Sequence, residues 1–525
     1  MKRKPLFGAA ALLMSTALVL AGCGGGNSDS GSGGSGDSAS KNKEELHVAI
    51  SANPPSLDPQ SINSNIVGGI GVHVYEPLFA MNADYEPTPV LAESYEVSDD
   101  GMVYTIKLRQ GVKFHNGEEM TADDVVASMN RWIEVSAKAN TLIGGSVFEK
   151  VDDYTVNLKV NQASSDIIMI LASPIQAAAI YPAEVVESAT AEGISEYIGT
   201  GPYKVSEWKQ DQYVKLEAYE DYQPSEGEAS GLAGEKQAAT PTIYYDVVTD
   251  ASTRIAGVQS GEYDISEEIP IDNYEDLSSD NGLTLKVDRG GTLNLFLDTT
   301  EGVMANQTFR QAVLAALNCD DIMLAAYGNP DLYELNASWS DPTDTQWGTD
   351  EGSEYYNQQD TEKAKELLAE AGYNNEKVVL VTTQDYPEMY NATLVVQEEL
   401  KQAGINAEVE TYDFSTFMEH RSDPQQFDMF ITSNSYNMLP IQLSVLDSGW
   451  AGLNAPEVTE GITAIRAASS DEEAAEAGAD LQTFLYEYGA ATVLGHYTGV
   501  IAMDEGVTGY DYLRFPIYWN VTASE

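Results

Sequence analysis

The side chains that most often carry out catalysis are scattered in this sequence without the spacing that catalysis needs. The histidines are far apart and show no metal-ligand spacing. There is no Gly-x-Ser-x-Gly elbow, no His-Glu-x-x-His motif and no Walker lysine loop. Among 83 acidic residues some carboxylates must lie close together, so a secreted hydrolase stays a minor alternative. We expect no enzyme, no metal site and no cofactor. The histidines are His47, His73, His115, His420 and His496.

One cysteine stands where a thiol has a defined chemical use. Lys2 to Lys4 is basic, and Leu6 to Leu20 is apolar but too short for a stable membrane span. The sequence Leu20-Ala21-Gly22-Cys23 follows and resembles a lipobox, in which the cysteine takes a diacylglycerol before cleavage. We therefore expect residues 1–22 to be a lipoprotein signal peptide and Cys23 to be the lipidated first residue. An ordinary signal peptide ending near a cysteine is the alternative.

The chain after Cys23 combines a flexible tether with a strongly acidic body. Residues 23–45 hold the lipidated cysteine and a stretch rich in Gly and Ser, which cannot bury enough apolar surface to fold. The formal charge is −56, which repels nucleic acid and anionic lipid surfaces. We expect no nucleic-acid partner and membrane contact only through the lipid on Cys23. The only other cysteine, Cys319, cannot form an internal disulfide and is expected to be a small buried residue.

Strand and helix patterns alternate along the rest of the chain, which indicates an α/β fold. Two helix signals are clear: Thr121 and Asp124 form a capping box before one helix, and Asp360 and Gly372 bound another. The segments 224–241 and 340–359 are rich in polar residues and Gly, so we expect neither to be core. The predicted strands are Leu46–Ile50, Val103–Leu108, Thr155–Val160, Val378–Thr382, Ile405–Tyr412 and Phe427–Ile431.

Several long motifs resemble one family. They are Tyr75-Glu76-Pro77-Leu78-Phe79, Ser98-Asp99-Asp100-Gly101, Gly111-Val112-Lys113-Phe114-His115-Asn116-Gly117, Gly199-Thr200-Gly201-Pro202-Tyr203, and the spaced Arg254, Gly257, Gln259-Ser260-Gly261-Glu262 and Asp264. On these residues the chain is identified as a member of the extracellular solute-binding proteins of family 5, which serve peptide, nickel, opine and related importers. The resemblance covers the whole chain after the tether.

This resemblance implies a bilobed clamp, like that of periplasmic binding proteins, with an extra subdomain. One main lobe would comprise residues 46–78, 193–285 and 492–525, and residues 79–192 would form the subdomain added to it. The second main lobe would comprise residues 286–491. The chain would cross between the main lobes twice, and two crossings form a hinge for closure over a ligand.

The same resemblance points to candidate ligand-binding residues between the lobes. Arg289 would take a carboxylate bidentately, because it precedes Gly290-Gly291 and a strand whose counterpart borders the ligand in relatives. A solvated arginine at a strand end is the alternative. The other candidates are Asn53, Glu268, Asn294, Trp339, Tyr386, Asn434, Tyr436, Asp447 and Trp450.

The ligand itself is the open question. Peptide-binding relatives commonly carry an aspartate in the stretch that matches residues 434–446, where it pairs with the ligand's α-ammonium, but this stretch contains no acid before Asp447. A buried ammonium without a carboxylate is unstable, so either Asp447 or Glu268 serves, or the ligand is not a free peptide. The alternatives are an opine, an amino-acid conjugate, an oligosaccharide or a metal chelate.

The resemblance also implies partners and a location. The protein would deliver its ligand to an ABC permease with its ATPase subunits, and it would act as a monomer. We expect a lipoprotein on the outer leaflet of the cytoplasmic membrane of a bacterium with a single membrane. A periplasmic setting is the alternative.

Overall fold

Strands and helices alternate throughout the computed structural model, which describes residues 41–191 and 193–524. The predicted α/β class is confirmed. Cys23, the predicted signal peptide and nearly all of the predicted tether lie outside the described residues. Within the described residues, no helix combines the length and the apolar character that crossing a membrane requires.

An eleven-stranded mixed sheet forms the centre of the fold. Two long antiparallel strands, Leu283–Leu297 (β12) and Ala491–Asp504 (β17), pair along almost their whole length in the middle of this sheet. On the β17 side the order of strands continues with Ile265–Ser266 (β11), Glu45–Ile50 (β1), Thr242–Val247 (β10), Tyr213–Ala218 (β9) and Tyr203–Lys209 (β8). On the β12 side it continues with Met429–Ser435 (β16), Lys377–Thr383 (β14) and Asn406–Tyr412 (β15), while Tyr333–Glu334 (β13) pairs with β17.

The remaining strands form smaller antiparallel sheets. A four-stranded sheet has the order Ala92–Val97 (β4), Val103–Leu108 (β5), Thr155–Lys159 (β7) and Val147–Asp152 (β6). Three two-stranded sheets pair Phe79–Met81 (β2) with Pro87–Pro89 (β3), Val507–Thr508 (β18) with Thr522–Ala523 (β21), and Asp511–Leu513 (β19) with Phe515–Ile517 (β20). The turn between β4 and β5 contains Gly101 at φ 69°, a left-handed conformation that glycine adopts without strain.

The helices pack on these sheets. They are α1 (Asn65–Val74), α2 (Ala122–Val135), α3 (Ala137–Ile143), α4 (Ile167–Ala172), α5 (Ala183–Ser188), α6 (Ala251–Ser260), α7 (Tyr274–Ser278), α8 (Gln307–Ala316), α9 (Cys319–Tyr327), α10 (Thr361–Ala371), α11 (Pro387–Ala403), α12 (Phe414–His420), α13 (Ser448–Ala451), α14 (Pro456–Ala467) and α15 (Asp471–Tyr488). The capping box of Thr121 and Asp124 begins α2, and Asp360 caps α10, which ends at Gly372; both predictions are confirmed.

Two hydrophobic cores lie on either side of the long strands. The first core contains β1, β10 and the four-stranded sheet, and the second contains β12, β14, β16 and the helices packed on them. Strand β17 serves both, because Ile501 and Met503 belong to the first core whereas Val500 and Ala502 belong to the second. Cys319 is a free, buried thiol in the second core, as predicted. The lobe boundaries inferred from the resemblance stay a prediction.

The prediction that segments 224–241 and 340–359 contain no core residues was wrong. Trp347 is buried in the first core, and Leu232 and Ala233 are buried there too. Lys236 is also buried, and its ammonium donates to the Glu76 carboxylate at 3.1 Å. The pattern misled because these core residues are isolated among polar neighbours, and the periodicity of a helix or strand is missing.

The Glu76–Lys236 pair provides a test of this packing. Both side chains are almost fully buried, and Glu76 also accepts hydrogen bonds from Thr200 and Tyr222. Lys236→Met leaves a buried carboxylate without its cation, so we expect the free energy of unfolding to fall by about 3–5 kcal/mol. Chemical denaturation measures it, with the exposed Lys107→Met as the matched control. A loss no larger than that of the control would contradict the assigned ion pair.

Candidate functional site

A cavity of about 270 Å³ lies beside the long paired strands β12 and β17, near the place where the register shifts between Arg289 and Gly291. Its wall comes from distant parts of the chain, because α1, β20 and the end of β16 all contribute residues. The lining residues that matter for binding are Asn65, Ile66, Glu267, Glu268, Asp288, Gly290, Ser435, Tyr497, Tyr512, Arg514 and Phe515. Such a concave site, with aromatic walls and a few charged groups, is typical of small-molecule binding.

One side of the cavity is acidic. Glu267 accepts a hydrogen bond from the Tyr518 hydroxyl at 2.6 Å, and Asp288 accepts one from the Tyr510 hydroxyl. The pKa of Glu267 is raised to about 7, chiefly by burial, with smaller contributions from the nearby carboxylates of Glu268 and Asp288. Burial likewise raises the pKa of Asp288 to about 6. A cation placed among these carboxyl groups would stabilise their ionised form and lower their pKa.

The backbone next to this acidic side is strained. Glu268 has φ 52°, in the left-handed region that residues other than glycine seldom adopt. Its carbonyl oxygen accepts from the Arg254 guanidinium at 3.0 Å, and Arg254 also donates to the carbonyls of Val248, Thr249 and Glu267. Arg254 therefore holds the turn that presents Glu268 to the cavity. Strained backbone supported in this way is common at ligand-binding sites.

Aromatic rings and close backbone packing complete the wall. The ring of Tyr497 stacks on that of Tyr327 with 5.9 Å between centroids. A Cβ atom at Gly290 would lie 2.3 Å from the Tyr497 ring, so glycine is required for the strand to pass there. Gly291, at φ 156°, would likewise bring a Cβ to within 2.0 Å of the Asn434 carbonyl oxygen. The two glycines predicted beside the site thus let β12, β16 and β17 approach closely.

Of the ten predicted ligand-binding residues, Glu268 lines this cavity and Arg289 lines a neighbouring one of about 340 Å³. The Arg289 guanidinium already has acidic partners, since Nη2 lies 2.5 Å from Glu334 and Nε lies 3.7 Å from Asp341. A ligand carboxylate would have to compete with both.

Three further predicted residues belong to a buried polar network on β12, β16 and β17. The Tyr436 hydroxyl bonds to His496 Nδ1 at 2.7 Å, and burial lowers the pKa of His496 to about 4, so the ring is neutral. Asn294 donates to Asn434 Oδ1 at 2.9 Å, while its own Oδ1 is buried without a hydrogen-bond partner. Ser435, between Asn434 and Tyr436, is the residue of this stretch that lines the cavity.

The structure does not bring the other predicted residues to the cavity. Trp339 is buried in the second core, and Trp450 packs on Phe296 with the Arg421 guanidinium 4.0 Å from its ring. The remaining three lie at the surface or at its edge: Tyr386 precedes α11, Asp447 caps α13, and Asn53 bonds to Gln210.

Sequence reasoning missed Glu267, Asp288, Tyr497, Tyr512 and Arg514 as cavity residues. Two of them had a usable signal: Glu267 is the neighbour of the predicted Glu268, and Asp288 directly precedes Arg289 and the glycine pair. Arg514, near the end of the chain, had none. Within the described chain, no group of His, Cys, Asp and Glu side chains is arranged to hold a metal ion.

Polar contacts join residues 79–192 to residues 286–491 away from the cavity. Arg466 donates to Ser164 Oγ at 3.0 Å and to the Leu142 carbonyl at 2.9 Å, and its Nε lies 3.7 Å from Asp166. The Tyr85 hydroxyl donates to Asp341 at 3.0 Å. Segments on both sides of the long strands are therefore in contact in this structure.

Relatives with curated descriptions share most of the chain. A probable peptide ABC transporter periplasmic-binding protein, y4tO of Sinorhizobium fredii, is 27% identical over 486 residues, which cover 89% of this chain and 91% of that protein. The glutathione-binding protein GsiB of Escherichia coli O1:K1 / APEC is 30% identical over 379 residues, 70% of each chain.

Solved structures share the fold. The ABC transporter substrate-binding protein CtaP of Listeria monocytogenes superimposes with a TM-score of 0.76 at 21% identity, covering 89% of this chain and 96% of that one. The sequence model of the bacterial extracellular solute-binding proteins, family 5, matches residues 86–446. Because this match spans more than half of the chain, the protein belongs to the bacterial extracellular solute-binding proteins of family 5.

Proposed function

We propose that this solute-binding protein captures a peptide or peptide-like solute with a free ammonium group and hands it to an ABC importer. The observation that carries the proposal is the convergence of Glu267, Glu268 and Asp288 on one cavity with aromatic walls. Relatives described as peptide-binding and glutathione-binding support a peptide-like ligand. The proposal includes no chemical step, so the ligand would be released in the same chemical form in which it was bound.

The acidic side of the cavity would replace the aspartate that is missing from residues 434–446. An ammonium group taken out of water needs an opposite charge and hydrogen-bond acceptors. Glu268, which follows β11, and Asp288, on β12, would supply that charge, and both line the cavity with Ser435. Asp447 caps a helix at the surface and is not needed for this role.

Binding would involve closure of the lobes that the resemblance implies. In this proposal residues 46–78, 193–285 and 492–525 form one lobe with residues 79–192 as its subdomain, and residues 286–491 form the other. The long strands β12 and β17 would be the hinge, because each contains one of the proposed crossings between lobes and β17 contributes side chains to both hydrophobic cores. Closure desolvates the ligand and strengthens its ionic contacts.

The proposal also covers the cellular location, the lipid anchor and the partner of the protein, on the basis of the sequence and the family. The proposal places the protein outside the cytoplasm as a monomer anchored by lipid on Cys23, next to the permease that receives the ligand. A carrier for a non-peptide solute with an ammonium group, such as an opine or an amino-acid conjugate, is the second candidate. The acidic wall suits a peptide and a non-peptide solute equally, because both carry an ammonium group. The two candidates differ in that only a peptide has backbone amides.

Matched peptide libraries test the proposed ligand. We expect tripeptides with free amino ends to bind and N-acetylated tripeptides to bind at least about 10-fold more weakly, because acetylation removes the charge that faces Glu268 and Asp288. The double variant Glu268→Gln and Asp288→Asn should lose the preference, whereas the exposed Glu262→Gln should keep it. Native mass spectrometry measures binding and shows whether the peptide mass is unchanged. Equal binding of both libraries would refute ammonium recognition, and peptide cleavage would refute the absence of turnover.

The cavity carboxyls also predict a pH dependence of binding. The pKa of Glu267 is raised from 4.5 to about 7 and that of Asp288 from 3.8 to about 6, so both take up protons as the pH falls from 7.5 to 5. A peptide ammonium, with a pKa of about 7.7–8.0, gains some charge as the pH falls from 7.5, which would strengthen binding, so weaker binding at low pH reports the carboxyl groups of the protein. We expect the Kd of a bound tripeptide to rise by about tenfold over this interval, measured by isothermal titration calorimetry. The variant Glu267→Gln should flatten the profile, and a flat profile in the unmodified protein would contradict the assignment.

Lipid anchoring has its own test in the native host. We expect radiolabelled fatty acid to be incorporated into the protein and Cys23→Ser to abolish the label and release the protein from the membrane fraction. Cys319→Ser should change neither result, since that thiol is buried. Membrane retention of an unlabelled Cys23→Ser protein would show that the anchor lies elsewhere.

A further inference from the structure

Arg514 is a cation without an acidic partner in a protein that has three acidic residues for each basic one. The chain carries 83 Asp and Glu against 27 Lys and Arg. Among residues 41–191 and 193–524, no carboxylate forms an ion pair with the Arg514 guanidinium. Its Nη2 donates to Asn65 Oδ1 at 3.4 Å, the guanidinium also hydrogen-bonds to the Tyr512 side chain, and the buried Nε has no hydrogen-bond partner. The guanidinium lines the 270 Å³ cavity, so its hydrogen-bonding capacity is open to a ligand.

The backbone fixes this side chain in place. Arg514 has φ 64°, a left-handed conformation that is uncommon for residues other than glycine. It sits between the short paired strands β19 and β20, and the pairing of Leu513 with Phe515 makes the turn tight. Its guanidinium lies 5.5 Å from the centre of the Phe515 ring. The turn and the ring together restrict the position of the guanidinium at the cavity wall.

The first turn of α1 adds partial positive charge at the same place. Asn65 and Ile66 begin this ten-residue helix, and both line the cavity. The preceding Ser64 makes no capping hydrogen bond with its side chain, and the first turn carries no acidic residue. The amide groups of this turn thus retain donor capacity, which favours an anion at a helix N-terminus.

We propose that Arg514 and the N-terminus of α1 form an anion subsite that binds a carboxylate of the ligand. This rests on the proposed function and adds the second charge of the ligand to it. Arg289, the carboxylate binder expected from the sequence, already has Glu334 and Asp341 as partners, whereas the Arg514 guanidinium has only the neutral partners Asn65 and Tyr512. A guanidinium can make two parallel hydrogen bonds to a carboxylate. With Glu268 and Asp288 in the same cavity, the site would select and orient a zwitterion.

Small carboxylates test the subsite without any peptide. Succinate should raise the thermal unfolding midpoint of the full protein in a concentration-dependent way, and neutral succinamide should not, with ionic strength held constant by sodium chloride. Arg514→Gln should abolish the rise, and Arg514→Lys should keep part of it because the charge remains. Lys401→Gln, an exposed lysine on α11, is the matched control and should respond like the unmodified protein. Equal responses of the unmodified protein and Arg514→Gln, or no response in either, would overturn the subsite.

Peptides then separate the two proposals. Tripeptides with a free carboxyl end should bind at least about 10-fold more tightly than their C-terminal amides, and Arg514→Gln should remove the difference. Equal binding of acids and amides by the unmodified protein would overturn the carboxylate role of Arg514 and leave peptide capture intact. A succinate response that depends on Arg514, without binding of either peptide form, would support the subsite and refute the peptide ligand.

Discussion

The pairing of β12 with β17 is the constraint on which the site depends. The ladder runs from Leu283 opposite Asp504 to Phe296 opposite Ala491, and it joins the two hydrophobic cores. Its register shift next to Gly291 decides which side chains face the cavity, because a slip of one residue would turn every side chain to the opposite face. The strands can pass so closely only because glycine occupies positions 290 and 291.

The chemistry of the cavity depends on a few local charges, although the whole chain carries −56. Surface carboxylates are solvated and screened, so they act on a ligand weakly. In the cavity, burial raises the pKa of Glu267 and of Asp288, which shows that these groups lack full compensation from the protein. Arg514, in the same wall, also lacks a carboxylate partner. A zwitterionic ligand would supply an opposite charge to each of these groups, because it carries charges of both signs.

The sequence predicted the local structure well and the site only in part. The capping box of Thr121 and the end of α10 at Gly372 depend on neighbouring residues, so their patterns can be read from the sequence. The cavity brings together Glu268, Asp288 and Arg514 from distant parts of the chain, and no local pattern encodes that meeting. The role of the aromatic residues was ambiguous for a related reason. Tryptophan is common both in the walls of ligand sites and in hydrophobic cores, and the fold packs Trp339 in the second core and Trp450 against it.

The contacts between residues 79–192 and 286–491 include terms of both signs. Met438, Leu439 and Ile465 are buried in the first core, which stabilises these contacts. Asp166 opposes them, because burial raises its pKa, its Oδ2 has no hydrogen-bond partner, and Arg466 approaches it only to 3.7 Å. In the proposed clamp, such opposing terms would let a ligand shift the balance between open and closed forms by the ionic contacts that it makes in the closed cavity.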